Sequence, residues 1–423
     1  MAFGIPEQIQ VKYENEAVQS MLSLLRASPF PEKSPIDPSA PWKLGMDVEY
    51  LKKLKHMFLT EWSWSSLEKK IAQYDNFVVH YEHGGDVLDL HFVHAKSPRS
   101  DAIPLILLHG WPGTFFDFHK VIESLTDPKD PETPAFHVVV PSLPGYILST
   151  LPRRETWNLA DTARVFNELM TSVLGYEKYM AQGGDWGSLI LRIMASTYPE
   201  SVSLAHFNLF ISPIPLDVDK SAFSEFEKRM LKREEDVRAT GFGYFMLQST
   251  KPFTIGYAVA SSPLAVLAYI GEKIYTWSDP HLVNPQDILD TVALYYLSGS
   301  FPTSVMMYYM VRRSIAYVSP GMYIDGILFV NQSTKEFAVL ELPVSEGKFL
   351  LKNKFGFSAF PYENTCSPKA ILATYGPLAY HKEHSSGGHF PALDCPNDYI
   401  SDLREFVSVN KDSLDGADET PKY

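Results

Sequence analysis

Three continuous apolar segments, each ending in a turn that contains glycine, constrain the fold of this chain most. They are IPLILLHG at 103–110, FHVVVPSLPG at 136–145 and YMAQGGD at 179–185. A run that is apolar at successive positions is typical of a strand buried on both faces of a parallel sheet. Amphipathic helical patterns, GTFFDFHKVIESL and LADTARVFNELMTSVLG, separate these segments. The alternation of strand, turn and helix predicts an α/β fold with a mostly parallel sheet flanked by helices.

The same patterns divide the chain into four segments. We expect an N-terminal helical extension packed on the core (1–75), a first part of the α/β core (76–210), a helical lid (211–322) and a second part of the core (323–423). VLDLHFVHA at 87–95 alternates apolar and polar residues, as an edge or half-buried antiparallel strand does. Few strand candidates follow residue 211 until FGFSAFP near 355. Because ligands of α/β folds bind beyond the carboxyl ends of the strands, the helical insertion would cover the site.

Charge and cysteine content exclude several classes of protein. A net charge of −13 argues against a nucleic-acid partner, because phosphates require clustered Lys and Arg. Two cysteines, Cys366 and Cys395, are too few for a disulfide-stapled secreted fold and favour a reducing compartment. The N-terminus does not have the pattern of a signal peptide. The apolar stretch at 255–271 contains Pro263 and is too short to span a membrane. We therefore expect a soluble, cytoplasmic protein without a membrane span.

The turn QGGDWGS at 182–188 follows the third apolar segment and precedes a helical run. Many hydrolases place a serine nucleophile at the centre of a G-x-S-x-G turn in this context. Here Asp185 is at the centre, and Gly183 and Gly187 supply the small flanking residues that a tight turn requires. Ser188 lies three residues beyond the centre, which disfavours a serine-type esterase. Asp185 is therefore a candidate nucleophile, although aspartate is also common in turns without a catalytic role.

HGWPG at 109–113 ends the first buried strand and opens a loop. In hydrolases of this architecture one N–H donor of the oxyanion hole comes from this loop, and the other from the residue after the nucleophile. The backbone N–H groups of Trp111 and Trp186 are therefore the candidate donors. For His109 we expect a structural role, with a hydrogen bond inside the loop.

Nucleophile, acid and histidine follow one another in that order along such chains. Glu363 lies just past the strand pattern FSAFP, and His389 lies in the glycine-flanked loop SSGGHFPALD ahead of the last helix. His381 and His384 are competing candidates, but they lack this loop. The order Asp185, Glu363, His389 predicts a catalytic triad, with the helical insertion between its first two members.

The motifs QGGDWGS, HGWPG, FSAFPYE and GGHF together resemble the epoxide hydrolases of the α/β-hydrolase fold. The likeness is to the microsomal-type branch, above all to soluble fungal members with an N-terminal meander, and it extends through the lid segment that begins at GFGYFMLQ. This resemblance implies that two lid tyrosines bind the epoxide oxygen, at Tyr244 and Tyr308 in this chain. A register shift of one residue would select Tyr309 instead. The resemblance also implies a homodimer.

The chemistry of an epoxide accounts for these residue types. An aspartate, with a reference pKa of about 3.9, is already ionised at neutral pH and can attack the epoxide carbon without a base. A tyrosine, with a reference pKa of about 10, stays protonated and can donate to the leaving oxygen. His389, held by Glu363, would then activate a water against the ester on Asp185. Only a small-molecule epoxide and water are needed, with no metal or organic cofactor.

Two alternatives share much of this pattern. A haloalkane dehalogenase uses the same aspartate turn and ester, and Trp186 could donate to its halide, but the tyrosine pair and the lid favour an epoxide. A catalytically silent hydrolase fold would bind a small ligand without turnover. Such proteins often lose a member of the triad, whereas all the candidate positions are filled here. The predicted function is that of an epoxide hydrolase.

Overall fold

Nine strands form one sheet, and the strands at its centre run parallel. The computed structural model describes residues 2–36, 39–212, 214, 218–311, 322–325, 328–331, 336–338, 349–365 and 367–414. In chain order the strands are β1 (Glu7–Ile9), β2 (Asn76–His83), β3 (Asp86–Ala95), β4 (Ile103–Leu108), β5 (Phe136–Pro141), β6 (Tyr179–Gly183), β7 (Val202–Phe207), β8 (Met322–Asp325), β9 (Leu328–Asn331), β10 (Glu336–Ala338), β11 (Phe355–Ala359) and β12 (Leu378–Glu383). The large sheet has the order β1-β2-β3-β5-β4-β6-β7-β11-β12. From β5 to β12 its strands pair in parallel, and β1 to β3 extend it with antiparallel pairs.

The three apolar segments that predict buried strands form β4, β5 and β6. Every residue of β6 and of β7 is buried, which requires cover on both faces of the sheet. The carboxyl ends of β4 and β6 lie side by side, with Leu108 paired to Gly183. The loop after β4 and the turn after β6 therefore meet at one edge of the sheet, where this architecture places its ligands.

The antiparallel edge of the sheet differs from the sequence prediction. Residues 87–95 lie in β3, which is antiparallel as predicted but pairs with β2 on one side and β5 on the other, so of the two predicted alternatives the edge strand is excluded. The strand β2 is not among the predicted strands. The N-terminal extension, predicted as helices, also supplies β1, whose Gln8 is paired with Phe77 of β2. A three-residue strand is defined by the strand with which it pairs, and it is too short to show an alternating pattern in its own sequence.

A second, small sheet contains β8, β9 and β10 in antiparallel order β10-β9-β8. No strand was predicted between 211 and 355, so this sheet corrects the sequence analysis. The predicted boundary between lid and core at 322/323 adjoins residues 312–321, which lie outside the described residues. Cys366 and the last nine residues of the predicted core segment lie outside them as well.

The described part of the insertion between β7 and β8 contains the helices α7 to α12 and a further helical segment at 306–311. In chain order the helices are α1 (Asn15–Ala27), α2 (Val48–Thr60), α3 (Trp64–Ile71), α4 (Ile122–Thr126), α5 (Leu159–Glu168), α6 (Asp185–Thr197), α7 (Glu225–Thr240), α8 (Gly243–Thr250), α9 (Pro252–Ala260), α10 (Pro263–Trp277), α11 (Pro285–Ser298), α12 (Phe301–Ser304), α13 (Lys369–Leu372), α14 (Pro391–Asp394) and α15 (Pro396–Ser408). In the described part of the chain no single helix is long and apolar enough to cross a membrane. Among the described residues, α9 and α10 taken together have the length and apolar composition of a membrane span, but the two helices are bent by 116° relative to each other.

The N-terminal extension contacts the insertion as well as the sheet. Trp62 Nε1 donates a hydrogen bond of 2.9 Å to Asp290 in α11, and Lys70 Nζ lies 2.9 Å from the other oxygen of the same carboxylate. The ring of Trp42 stacks on Tyr275 of α10 with centroids 4.0 Å apart. Because β1 joins the sheet while these side chains contact α10 and α11, the extension ties the insertion to the core.

Candidate active site

Asp185 lies in a strained turn between β6 and α6. Its φ is +45°, in the left-handed region that residues with a Cβ rarely adopt. Gly187 makes the turn sterically possible, because a Cβ there would lie 2.2 Å from the carbonyl oxygen of Leu108 at the end of β4. A Cβ on Gly183 would lie 2.5 Å from the carbonyl oxygen of Gly187. Such a strand-to-helix turn presents its central side chain at the carboxyl edge of the sheet, as a nucleophile elbow does.

The HGWPG loop contacts the Asp185 carboxylate directly. The Trp111 backbone N–H donates a hydrogen bond of 2.7 Å to Asp185 Oδ1. The N–H of Trp186 belongs to the first turn of α6, where amides have no acceptor within the helix. Both predicted oxyanion-hole residues therefore adjoin the carboxylate. His109 lies beside them with Nδ1 3.0 Å from the Gly110 carbonyl oxygen and with Nε2 accepting from the Leu143 N–H at 3.1 Å, which is a structural arrangement.

Glu363 follows β11, His389 follows β12, and the imidazole of His389 joins Glu363 to the Asp185 carboxylate. His389 Nε2 lies 3.2 Å from Asp185 Oδ2, and His389 Nδ1 lies 2.6 Å from Glu363 Oε1. The His389 backbone N–H donates to the Trp277 carbonyl oxygen at 2.9 Å, which fixes its loop against the end of α10. Glu363 is 2% exposed and His389 is 4% exposed, so water does not screen the contact between them. The structure thus brings the three predicted triad members into one hydrogen-bonded line.

The two carboxylates decide the protonation state of His389. Burial alone would lower the pKa of this imidazole, but the charge of Glu363 and the hydrogen bond and charge of Asp185 outweigh burial and raise the pKa to about 10. At neutral pH the imidazole is therefore charged and donates from both nitrogens. The charged state of His389 depends on the Asp185 charge, which alkylation of the carboxylate would remove.

The competing histidines are engaged elsewhere. His384 is buried, and its Nε2 lies 2.7 Å from Asp402 Oδ2. His381 stacks on Phe357 with ring centroids 6.0 Å apart, and burial lowers its pKa to about 4. Neither side chain contacts Asp185 or Glu363.

Tyr244 and Tyr308 lie above the Asp185 carboxylate. Tyr244, in α8, stacks on the Trp111 ring with centroids 5.3 Å apart. Tyr308, in the helical segment 306–311, packs edge-on against Trp186 at 4.8 Å and against Tyr244 at 5.8 Å. Burial raises the pKa of both phenols well above the ordinary value, and the nearby Asp185 charge raises each pKa further. Both hydroxyls are therefore protonated and able to donate at neutral pH.

Tyr309 points away from this group. Its hydroxyl donates a hydrogen bond of 2.8 Å to Glu155 Oε1, in the segment that follows β5. Successive residues of a helix project about 100° apart, so only one of the two tyrosines can face Asp185. The geometry favours Tyr308 as the partner of Tyr244.

A cavity lies between the Asp185 carboxylate and the helices of the insertion. Its wall is mainly apolar and aromatic, and the polar groups concentrate at Asp185, His389 and the two tyrosines. The remaining lining residues are Trp186, Leu189, Leu209, Ile211, Val237, Phe242, Phe245, Trp277, Asn364 and Thr365. A small apolar molecule would fit this space with its reactive polar atom between carboxylate and phenols.

Two residues of the site have no motif in the sequence. The Trp277 ring packs edge-on against His389 at 5.1 Å and lies 5.3 Å from Tyr244, so it closes one wall of the cavity. Asn208 follows β7 directly and accepts a hydrogen bond of 2.8 Å from Gln182. The position of Asn208 just past a strand could have indicated a role at the carboxyl edge. For Trp277, at the end of a lid helix, no such signal exists.

Comparison with known proteins finds relatives that are named epoxide hydrolases. The family model "Epoxide hydrolase N terminus" matches residues 6–118, and the model "alpha/beta hydrolase fold" matches residues 103–208. The structure of the Aspergillus niger epoxide hydrolase superimposes with a TM-score of 0.80 and 32% identity, covering 95% of this chain and 96% of that one. Juvenile hormone epoxide hydrolase 2 of Ctenocephalides felis is 32% identical over 397 residues, which are 86% of this chain and 79% of the relative. Epoxide hydrolase 1 of Sus scrofa is 29% identical, with 86% and 81% covered.

Proposed function

This chain belongs to the epoxide hydrolases of the α/β-hydrolase fold, and from that premise we propose that it opens epoxides through an ester on Asp185. The observation that carries the proposal is the position of the Asp185 carboxylate. It is held by the Trp111 N–H and by His389 on the core side, and it faces a cavity with two protonated phenols on the lid side. This arrangement places an anion and a proton donor on opposite sides of one small molecule.

In the first step a carboxylate oxygen of Asp185 attacks one epoxide carbon from behind, and the carbon–oxygen bond of the ring breaks. Tyr244 and Tyr308 bind the ring oxygen, and one of them gives it a proton as it leaves. Holding the ring between carboxylate and phenols keeps the reacting atoms in line, which supplies much of the rate enhancement. The helical segment 211–322 acts here as the lid that carries both phenols.

Formation of the ester prepares His389 for the second step. Once Asp185 is an ester, one of the two charges that raise the His389 pKa is gone. The imidazole can then release a proton, which restores the tyrosine through solvent, and it becomes a neutral base. His389 Nε2 takes a proton from water, the hydroxyl attacks the ester carbonyl, and the Trp111 and Trp186 amides hold the resulting oxyanion.

Collapse of the tetrahedral intermediate completes the balance of protons. The bond from the acyl carbon to the substrate oxygen breaks, His389 returns its proton to that oxygen, and the vicinal diol leaves. The new carboxylic acid of Asp185 then ionises and reprotonates His389. The enzyme returns to the starting pair of carboxylate and imidazolium, with Glu363 orienting the ring throughout.

A single turnover in heavy-oxygen-labelled water tests the ester pathway. With enzyme in excess over styrene oxide, the oxygen added to the first diol comes from the Asp185 carboxylate, and the label appears in the peptide that contains Asp185. If the first diol carries the label and the peptide does not, water attacks the epoxide directly and the proposal is wrong. The same experiment with a haloalkane tests the dehalogenase alternative, for which we expect no turnover.

The choice between Tyr308 and Tyr309 gives a second prediction. Tyr308→Phe is expected to slow ester formation about tenfold or more, because one hydrogen bond to a developing anion is lost. The change at both Tyr244 and Tyr308 is expected to cost roughly 10²- to 10⁴-fold. Tyr309→Phe is the matched control, since it removes a hydroxyl bonded to Glu155 outside the cavity. Stopped-flow measurement of the rate of ester formation distinguishes the two tyrosines. If Tyr308→Phe leaves this rate unchanged and Tyr309→Phe lowers it, Tyr309 is the second donor and the assignment is wrong.

A further inference from the structure

Asp117 is a buried acid beside the triad that the mechanism above does not use. It lies in the sequence HGWPGTFFDF, in the single turn Phe115–Phe118 after the oxyanion loop. Its Oδ1 accepts a hydrogen bond of 3.0 Å from the Thr114 N–H, as part of a capping box. Asp117 is only 8% exposed, and burying a carboxyl group is costly unless its oxygens find partners. A capping role accounts for one oxygen of this group and leaves the other unexplained.

A second, smaller cavity lies on the core side of the triad. It shares only Asp185 and His389 with the lid-side cavity, so these two side chains lie between the two spaces. Asp117 forms part of its wall, and so do Gln182, Asn208 and Tyr399. A cavity with several polar wall groups is suited to water, whereas an apolar space of this kind would stay dry.

Asp117 lines this space, and its second oxygen is not used by the cap. No described protein group donates to Asp117 Oδ2, although Oδ1 is bonded to Thr114. Oδ2 lies against Gly113, where a Cβ would be only 2.0 Å away, so glycine at that position allows the carboxyl group to lie there. Burial raises the pKa of Asp117 to about 7 and the charge of His389 opposes this rise, so the carboxylate form that accepts from water prevails above that pH.

The other polar side chains of this cavity are hydrogen-bonded to one another. The Tyr399 hydroxyl donates to Gln182 Oε1 at 2.5 Å, and Gln182 Nε2 donates to Asn208 Oδ1 at 2.8 Å. Asn208 Nδ2 points toward the His389 carbonyl oxygen at 3.5 Å. Because these groups use one another as partners, Asp117 Oδ2 is the strong acceptor left for a water in the cavity.

We propose that Asp117 positions the water that hydrolyses the ester, an inference that rests on the function proposed above. The water donates one hydrogen to Asp117 Oδ2 and the other to His389 Nε2. His389 takes its proton as the oxygen bonds to the ester carbonyl carbon, and the second hydrogen remains on that oxygen. Asp117 exchanges no proton with the substrate and makes no contact with it, so it is a positioning residue for the second step alone.

Asp117→Asn separates this role from capping. The Thr114 N–H selects the amide oxygen of asparagine for the cap, so the amide NH₂ group occupies the place of Oδ2. A donor then faces the water where an acceptor is needed. We expect the rate of ester decay to fall about tenfold or more, because the hydrogen bond between water and carboxylate is lost. The rate of ester formation is expected to stay within about twofold of the wild-type rate. Intact-mass analysis of quenched mixtures with styrene oxide gives both rates, and the steady-state fraction of ester-bearing protein rises.

Two further variants test whether slower ester decay in Asp117→Asn results only from loss of the cap. Asp161→Asn alters the corresponding capping-box carboxylate of α5, which lines neither of the two cavities, and is expected to leave both rates unchanged. Ala392→Val narrows the core-side cavity without touching Asp117 and is expected to slow ester decay selectively, even if Asp117→Asn folds poorly. Unchanged ester decay in Asp117→Asn, or an equal loss in both rates, would overturn the proposal. Failure of the ester pathway itself would be distinct, because no adduct would then form in the wild-type protein.

Discussion

Asp185→Asn is expected to abolish turnover and to leave the fold intact. The amide keeps the shape of the carboxylate and can still accept from the Trp111 N–H, so the turn between β6 and α6 is preserved. It is a far weaker nucleophile than an anion, and removal of a nucleophile costs at least about 10³-fold in turnover. Diol formation from styrene oxide in freshly purified protein measures the loss. Thermal unfolding beside the wild type checks the fold.

The same variant makes a prediction about His389. Its pKa is raised to about 10 by Glu363 and Asp185 together, and the amide removes the second charge. The pKa of His389 in the variant is therefore expected to fall below the wild-type value, as it would when the ester forms. An NMR titration of the imidazole measures both values. An unchanged pKa would contradict the switch by which His389 becomes a base, and full activity before any deamidation would contradict the nucleophile assignment.

The α/β-hydrolase fold and the epoxide hydrolase family were predictable because their signals are local. A buried parallel strand appears as a continuous apolar run, and the glycines at 183 and 187 mark the tight turn after β6 in the sequence itself. The family comparisons confirm both predictions. The assignment of individual residues to the site remains a prediction, supported by the convergence of Asp185, Glu363 and His389.

The parts of the fold that were missed depend on distant partners. The strand β1 exists because Gln8 finds Phe77, and β2 mixes exposed polar residues such as His80 and Glu82 into its pattern. The small sheet of β8, β9 and β10 consists of strands of three or four residues, which are too short to show a period.

The pocket was harder to predict than the triad. Trp277 comes to His389 from a lid helix more than a hundred residues earlier in the chain, and only the packing of the lid on the core brings them together. Asp117 was readable as a capping residue from T-x-x-D. Its access to a cavity beside Asp185 depends on the absence of a side chain at Gly113, which is a property of the packed structure.

His389→Gln is expected to trap the ester. Ester formation needs only the Asp185 anion and the lid phenols, whereas ester hydrolysis needs a base within reach of water. Glutamine can still donate an N–H to Glu363, so that buried carboxylate is not left without a partner. Loss of the general base is expected to slow hydrolysis by roughly 10²- to 10⁴-fold. Intact-mass measurement after mixing with styrene oxide should show nearly all protein heavier by one epoxide, with peptide mapping placing the adduct on Asp185.

His384→Gln is the matched control for that experiment. It also removes a buried imidazole that lies 2.7 Å from a carboxylate, Asp402, so it reproduces the loss of a buried histidine–acid pair without altering the cavity. We expect a lower unfolding temperature in both variants, and ester accumulation in His389→Gln alone. If His389→Gln accumulates no adduct while it is folded and consumes no epoxide, the two-step pathway is wrong. If it turns over at the wild-type rate, His389 is not the base, because its imidazole is the one titratable group between Glu363 and Asp185.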